Sequence, residues 1–151
     1  MKEIRLTRGK TSKVDDDDYA WLSRWKWCYD NNGYAKRTIR KNGKSSKVYM
    51  HREILHTRDG MYTDHINRDK LDNRKENLRE CTNSQNLINR DVGRNNTSGV
   101  KGVCRDKDRG KWMAKITVMG KCINLGRFEE IRDAEDAYLC ASKKYFEGVV
   151  V

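Results

Sequence analysis

The chain of 151 residues contains no proline, so glycine, asparagine and aspartate must mark its turns. It has no apolar run long enough to span a bilayer and no signal-peptide core after Met1, so we expect no membrane association. Its five cysteines are odd in number and include no Cys-x-x-Cys pair, which argues against a disulfide framework and against a zinc knuckle. We therefore expect reduced thiols in a cytoplasm.

Positively charged residues outnumber negatively charged residues in this chain. Lysine and arginine number 33 against 22 acidic residues, which gives a formal net charge of +11. Charged residues make up 36% of the chain, so we expect small units rather than one large apolar core. A polyanion is the natural partner, because each neutralised phosphate releases condensed counterions. A merely soluble basic protein would show the same excess, so charge favours a nucleic acid without identifying it.

The N-terminal segment predicts small elements. An acidic run at 15–18 favours the start of a short helix, where the helix dipole is positive. This helix is expected to carry Tyr19, Trp21, Leu22 and Trp25. Strand candidates lie at 4–6, 27–29, 34–39 and 47–50. Asn-Gly at 42–43 is a strong hairpin signal, so we expect a small antiparallel sheet here.

The hairpin is basic. Six lysines and arginines and no acidic residue lie between positions 33 and 47. Such a hairpin can lie in a DNA groove or along a line of phosphates. We predict DNA contacts for Lys36, Arg37 and Arg40; the alternative is a solvated loop with an ordinary charge excess.

The central segment predicts two strands joined by a polar loop. The first strand, the loop and the second strand fall at 61–66, 67–77 and 78–81. Thr82 and Gln85 then have the spacing of a capping box, so a helix is expected to begin there, with Asn86 about one turn inside. Two strands and a helix can bring Asp64, His65 and Asn86 to one place.

These residue types suit phosphodiester hydrolysis. The Asp64 carboxylate and the Asn86 amide oxygen are hard ligands of the kind that Mg²⁺ or Mn²⁺ prefers, and such a metal neutralises charge on a phosphate. The His65 imidazole can take a proton from the attacking water. Read in isolation, Asp64-His65 could be an exposed turn pair and Asn86 a helix-surface amide.

The sequences DHIN at 64–67, LDNRKENLR at 71–79 and QN at 85–86 resemble the HNH endonucleases of phages and mobile introns. Within them they resemble the subgroup whose last His is replaced by Asn. The resemblance implies a ββα-metal fold and cleavage that leaves 5′-phosphate and 3′-hydroxyl ends. It places Asp64 and Asn86 on the metal ligands, His65 on the general base, and Asn77 on the middle Asn, which braces the loop behind the His.

Two neighbouring residues carry weaker signals. Asn73, in the polar loop, is predicted to be a turn residue rather than a ligand. His51, within YMHR at 49–52, also recurs in the family that the motif resembles, and we favour a structural or supporting role for it over catalysis.

The last third predicts a sheet followed by an amphipathic helix. In the strand at 112–118, one face carries Trp112, Ala114, Ile116 and Val118, and the other Met113, Lys115 and Thr117. The helix stripe comprises Ala134, Ala137, Tyr138, Ala141 and Tyr145, with Gly148 as the stop. Basic residues concentrate in the sheet and acidic residues in the helix, so the polar face of the sheet should meet DNA.

This segment resembles the AP2 domain in KGV at 101–103, KWMAKI at 111–116, LGRF at 125–128 and AEDAY at 134–138. The resemblance implies a three-stranded sheet with one helix, and places Lys101, Lys115, Thr117 and Asn124 toward DNA and Trp112 in the core. Asn124, Cys104 and Glu130 depart from the usual residues, so the base preference of the family does not carry over.

We therefore predict an α+β protein in three parts. They are an N-terminal basic β-sheet region at 1–48, an HNH nuclease domain at 49–90 with a ββα-metal centre, and, after a linker at 91–98, an AP2-like domain at 99–151. The expected function is metal-dependent, site-specific cleavage or nicking of double-stranded DNA by a monomer, of the phage or homing type, in a bacterial or phage-infected cell.

Two alternatives belong to other classes. A DNA-binding regulator with an inactive nuclease centre is disfavoured by the intact Asp64, His65 and Asn86. An RNA-binding protein is disfavoured because RNA readers usually show aromatic stacking motifs, whereas the tryptophans here fall in apparent core positions.

Overall fold

The computed structural model describes residues 1–93 and 95–146. These residues form a mixed α and β structure with several small antiparallel sheets and four α-helices, as the sequence predicts. The chain divides into two compact units, an N-terminal unit, Met1–Thr82, and a C-terminal unit, Asn83–Val151. This division falls inside the segment 49–90, which the sequence assigns to a single domain.

The N-terminal unit contains seven strands and two α-helices. In chain order they are β1 (Lys2–Arg5), β2 (Thr11–Val14), α1 (Asp16–Leu22), β3 (Cys28–Tyr29), β4 (Ala35–Lys41), β5 (Lys44–Tyr49), α2 (Met50–Leu55), β6 (Tyr62–His65) and β7 (Leu78–Cys81). The strands pair as β1–β2, β3–β4–β5 and β6–β7. Their apolar side chains share one core, which includes Val14, Leu22, Ala35, Met50 and Leu78.

The β4–β5 hairpin follows from its turn. Asn42 and Gly43 have φ angles of 51° and 72°, the left-handed conformation that the two central residues of such a hairpin turn require. Lys41 pairs with Lys44 across the turn, and the antiparallel pairing continues as far as Lys36 and Tyr49. The predicted basic hairpin is confirmed.

Helix α1 is shorter than the sequence predicts. The acidic residues at 16–18 fill its first turn, where the helix dipole favours negative charge. The helix ends at Leu22, so Trp25 lies beyond it, and 50% of Trp25 is exposed. Trp27 enters the core instead, where its indole Nε1–H donates to the carbonyl of Leu22 at 2.9 Å. The expectation that all the tryptophans are core residues is therefore wrong for Trp25.

The C-terminal unit is a three-stranded sheet with two helices among its described residues. In chain order its elements are α3 (Asn83–Asn89), β8 (Val103–Asp106), β9 (Lys111–Val118), β10 (Lys121–Phe128) and α4 (Ile131–Tyr145). The strands are antiparallel in the order β10–β9–β8. Helix α4 packs through Ala134 and Tyr138 on one face of this sheet, and Ile88 of α3 joins Ile116 and Tyr138 in the same core.

Gly102 permits the close approach of α4 to the sheet. Its φ is +71°, and a Cβ at this position would lie 2.2 Å from the ring of Tyr138 and 2.6 Å from the carbonyl oxygen of Lys115. Only glycine fits both the backbone conformation and the available space.

The end of α4 differs from the predicted stripe. Tyr145 is 41% exposed, whereas Phe146 is buried. Phe146 leaves the helical conformation, with φ −135° and ψ 45°, and its ring takes the core position predicted for Tyr145. Position 94 of the predicted linker and Gly148, the predicted helix stop, lie outside the described residues.

Candidate active site

Asp64 and His65 are the last two residues of β6, and both are buried, with 6% and 4% exposure. In the register of the β6–β7 hairpin, Asp64 lies opposite Arg79. The Arg79 guanidinium donates to Oδ2 of Asp64 from Nε at 3.0 Å and from Nη2 at 2.7 Å. The carboxylate therefore has the opposite charge beside it that a buried ion requires.

A chain of hydrogen bonds orients the His65 ring. Nε2 of His65 lies 3.1 Å from Oδ1 of Asn73, and Nδ2 of Asn73 donates to Oγ of Ser12 at 2.7 Å. The Ser12 hydroxyl uses its single hydrogen to donate to the carbonyl of Leu71 at 3.0 Å, so toward Asn73 it is an acceptor. The amide nitrogen of Asn73 therefore faces Ser12, and the amide oxygen faces His65. An amide oxygen only accepts, so His65 carries its proton on Nε2, which leaves Nδ1 as the basic nitrogen.

This arrangement corrects the prediction for Asn73. Asn73 is fully buried and joins His65 to Ser12, which lies 61 positions before Asn73 in the sequence. Its role is therefore more than shaping a turn. Sequence gave no signal that separates a buried asparagine from a solvent-exposed turn asparagine within a polar loop.

The charge state of His65 is set mainly by burial. Burial lowers the pKa of His65, and the hydrogen bond to Asn73 and the nearby carboxylates of Asp64, Asp69 and Asp72 oppose that shift without reversing it. The imidazole is therefore neutral at neutral pH, which is the state that a general base needs.

Asn77 ties together the polar loop between β6 and β7. Its Oδ1 accepts from the backbone N–H of Asn67 at 2.9 Å, and its Nδ2 donates to the carbonyl of Asp72 at 2.7 Å. The N–H of Ile66 donates to the Asn77 carbonyl at 2.8 Å. One side chain thus fixes two points of the loop that carries Asn73.

A second histidine ring packs against His65. The ring centroids of His51, on α2, and His65 are 5.1 Å apart, with an interplanar angle of 74°. His51 also stacks on Tyr49 at 5.6 Å and packs against Tyr34 at 5.1 Å. Burial, and to a smaller extent the neighbouring His65 and Arg52, lowers the pKa of His51 to about 3. The His51 ring is therefore an uncharged neighbour of the candidate base.

Asn86 lies on α3, in the C-terminal unit, and is half-buried. Across residues 1–93 and 95–146, no group of three or more His, Cys, Asp and Glu side chains is arranged to hold a metal ion. Carboxylate and amide oxygens are ligands that Mg²⁺ accepts, and Mg²⁺ usually keeps several waters and takes only one or two protein carboxylates.

One arginine of the basic hairpin, Arg37, forms an ion pair within the protein. The Arg37 guanidinium donates to the Glu53 carboxylate from Nη2 at 2.5 Å and from Nε at 3.2 Å, and its side chain is only 13% exposed. Lys36 is half-buried and Arg40 is exposed. Arg37 thus links the hairpin to α2, and Arg40 is the most accessible of the three predicted DNA contacts.

The register of the C-terminal sheet places three predicted DNA contacts on one face. Lys115 pairs directly with Asn124, and Thr117, two residues along β9, shares the face of Lys115. The opposite face carries Ala114 and Ile116 against α4. Lys101 is placed differently, because its ammonium donates to the carbonyl of Ile88 at 2.6 Å and to that of Arg90, at the end of α3.

Replacing Lys115 and Lys101 separately should therefore have different effects. Lys115→Ala should weaken DNA binding and lower the slope of log affinity against log salt by about one unit per lost phosphate contact. Lys101→Ala should lower the free energy of unfolding by about 1–2 kcal/mol, because carbonyls at the end of α3 lose a charged donor. Fluorescence anisotropy across a salt series and thermal unfolding measure the two effects. Equal salt slopes for Lys115→Ala and the unmodified chain would remove Lys115 from the DNA contacts.

No helix within the described ranges is both long enough and apolar enough to cross a membrane.

Comparison with known proteins supports the nuclease interpretation of the central segment. Residues 58–88 match the model of a protein family described as HNH endonuclease, and the match includes Asp64, His65, Asn77 and Asn86. Protein 3.8 of Escherichia phage T7 is 37% identical to this chain over 62 residues, which are 41% of this chain and 51% of that protein. The chain thus spans about half the length of this curated relative. No solved structure matches the chain.

Proposed function

We propose that this protein is a metal-dependent, site-specific DNA endonuclease of the phage or homing type, which hydrolyses or nicks double-stranded DNA. The HNH match over residues 58–88 supports the class of reaction. The observation that carries the chemistry is the buried imidazole of His65, whose Nε2 lies 3.1 Å from Oδ1 of the buried Asn73.

In this proposal the attacking water gives its proton to Nδ1 of His65. The hydrogen-bond chain through Asn73 and Ser12 keeps the ring from rotating, so Nδ1 stays directed to one place. Asn77 acts as a positioning residue, because it braces the loop that presents Asn73.

Asp64 and Asn86 are the residues proposed to hold Mg²⁺ or Mn²⁺. When bound, such a metal stabilises the charge that develops on the phosphate and on the leaving oxygen. Arg79 fixes the Asp64 carboxylate by two hydrogen bonds to Oδ2, which orients the proposed ligand.

DNA binding is proposed to use surfaces outside the reacting centre. The open face of the C-terminal sheet, with Lys115, Thr117 and Asn124, would act as an AP2-like reader of double-stranded DNA, and Arg40 and Lys36 of the β4–β5 hairpin would contact phosphates. Such contacts supply register and site choice, which a phosphate-cleaving centre does not supply.

Incubating the full chain with supercoiled plasmid DNA and with host DNA tests the proposal. With Mg²⁺ or Mn²⁺ we expect nicked or linear products with 5′-phosphate and 3′-hydroxyl ends, and none when EDTA is present. End-labelling and gel electrophoresis measure this. Binding with no cleavage by any divalent metal would favour the alternative of a DNA-binding regulator with an inactive centre.

A further inference from the structure

Trp25 is an exposed aromatic residue that the proposed chemistry does not use. It follows α1, and half of its surface is open to solvent. An exposed tryptophan leaves a large apolar ring in contact with water, and such a ring can stack on a ligand ring.

The Trp25 indole is held in place from one side. The guanidinium carbon of Arg37 lies 4.3 Å from the centroid of the Trp25 ring and 5.6 Å from that of Trp27. Arg37 is itself fixed by its two hydrogen bonds to Glu53. Arg37 therefore supports the Trp25 ring by a cation–π contact, and an aromatic ring that is already held in place loses less entropy when a second ring stacks on it.

A groove of about 690 Å³ lies beside the Trp25 ring, and we call it the Trp25 groove. Its lining includes Ile4, Leu6, Trp25, Trp27, Arg5 and Lys26. Its apolar residues Ile4, Leu6 and Trp27 are buried, while Arg5 and Lys26 are exposed on its rim with one acidic residue, Glu3. The volume falls within the range of small-molecule sites. The groove thus offers an aromatic face, apolar residues, and two exposed cations beside one acidic residue.

We propose that the Trp25 groove binds an unpaired nucleotide of a DNA strand, with the base stacked on Trp25 and the phosphates beside Arg5 and Lys26. This inference rests on the proposed function, since it takes DNA as the ligand. Aromatic faces combined with basic side chains are the general means of holding single-stranded nucleic acid, because every base has a stacking face and every linkage a negative charge. The cations on the rim favour an anionic ligand over an apolar peptide.

The test uses the full chain carrying His65→Ala, so that DNA is not consumed. Two duplexes are compared by anisotropy, one fully paired and one with a single unpaired 2-aminopurine, whose fluorescence reports stacking. Trp25→Phe and Trp25→Leu form the decisive pair, because both keep an apolar side chain over Arg37 and only phenylalanine keeps an aromatic face. Trp21→Phe is the matched control, because Trp21 bonds to Asp18 and does not line the groove.

We expect Trp25→Leu to weaken binding of the unpaired duplex about tenfold or more, and to restore the 2-aminopurine fluorescence that binding quenches. Trp25→Phe and Trp21→Phe should stay within about threefold of the parent, and all variants should bind the fully paired duplex alike. Equal loss on both duplexes, or no loss on either, would overturn the proposal.

Two further results of these measurements separate failure of the nucleotide proposal from failure of the proposed nuclease function. Self-association that is abolished by Trp25→Leu, measured by sedimentation, would mean that a second copy covers the groove, which overturns the nucleotide proposal and leaves the proposed nuclease function intact. Failure of the parent chain to bind either duplex would contradict DNA as the partner, and so the proposed function itself.

Discussion

Replacing His65 by alanine is expected to lower the rate of DNA cleavage by roughly 10²–10⁴, while DNA affinity changes by no more than several-fold. The reason is that His65 is the proposed acceptor of the proton from the attacking water, and its ring is oriented for that step by Asn73. DNA affinity is expected to depend on the basic hairpin and the C-terminal sheet instead. Single-turnover cleavage at saturating protein, together with anisotropy, separates the two quantities.

Asn73→Ala is the matched comparison. It keeps the imidazole but removes its hydrogen-bond partner, so cleavage should fall by a smaller factor than in His65→Ala. It should also lower the thermal midpoint, because Ser12 loses its buried donor. Unchanged turnover in His65→Ala would remove His65 from the role of base, whatever the result for Asn73→Ala.

The second large effect concerns the proposed metal ligands. Asp64→Ala and Asn86→Ala should each shift activation to higher Mn²⁺ or Mg²⁺ concentration. At a fixed, subsaturating metal concentration, Asp64→Ala should reduce cleavage by at least about 10²-fold, since metal stabilisation of the developing charge amounts to several kcal/mol. Cleavage rates measured across a metal titration give both effects.

Stability must be measured beside activity for these variants. Asp64 and Arg79 form a largely buried ion pair, and removing one partner of such a pair costs about 3–5 kcal/mol. Asp64→Asn removes the charge but keeps an oxygen that can accept from Arg79, and Asn86→Ala breaks no such pair. Metal titrations with the same midpoint in the unmodified chain, Asp64→Asn and Asn86→Ala would exclude both residues from the ligand set.

Local elements could be predicted from the sequence because their causes are local. Asn-Gly at 42–43 selects a tight hairpin turn, and β7 has the predicted bounds, Leu78–Cys81. Alternation along β9 correctly assigned Ala114 and Ile116 to the buried face. The motif that resembles HNH endonucleases could also be recognised, because its residues lie close together in the sequence, between Asp64 and Asn86, and the family match at 58–88 includes them.

Partnerships over long sequence distances could not be predicted in this way. Arg37 was predicted to contact DNA, and its bonds to Glu53, 16 positions away on α2, could not be predicted from the sequence. Lys101 was expected to face DNA, and the end of α3 accepts its ammonium hydrogens. Periodicity shows which side of an element is polar, but it does not show which polar group that side meets.

Net charge, turn residues and motif spacing are properties of the chain alone, so the basic character, the small α and β elements and the likeness to HNH endonucleases could all be predicted without the fold. The residues that surround His65 and the positions of the tryptophans follow instead from the way the elements pack together. Asn73 became part of the candidate site because β2 brings Ser12 beside the polar loop, and Trp25 became exposed because α1 ends three residues before it. Both outcomes depend on how separate elements pack, and packing is settled by the shared core rather than by any local pattern.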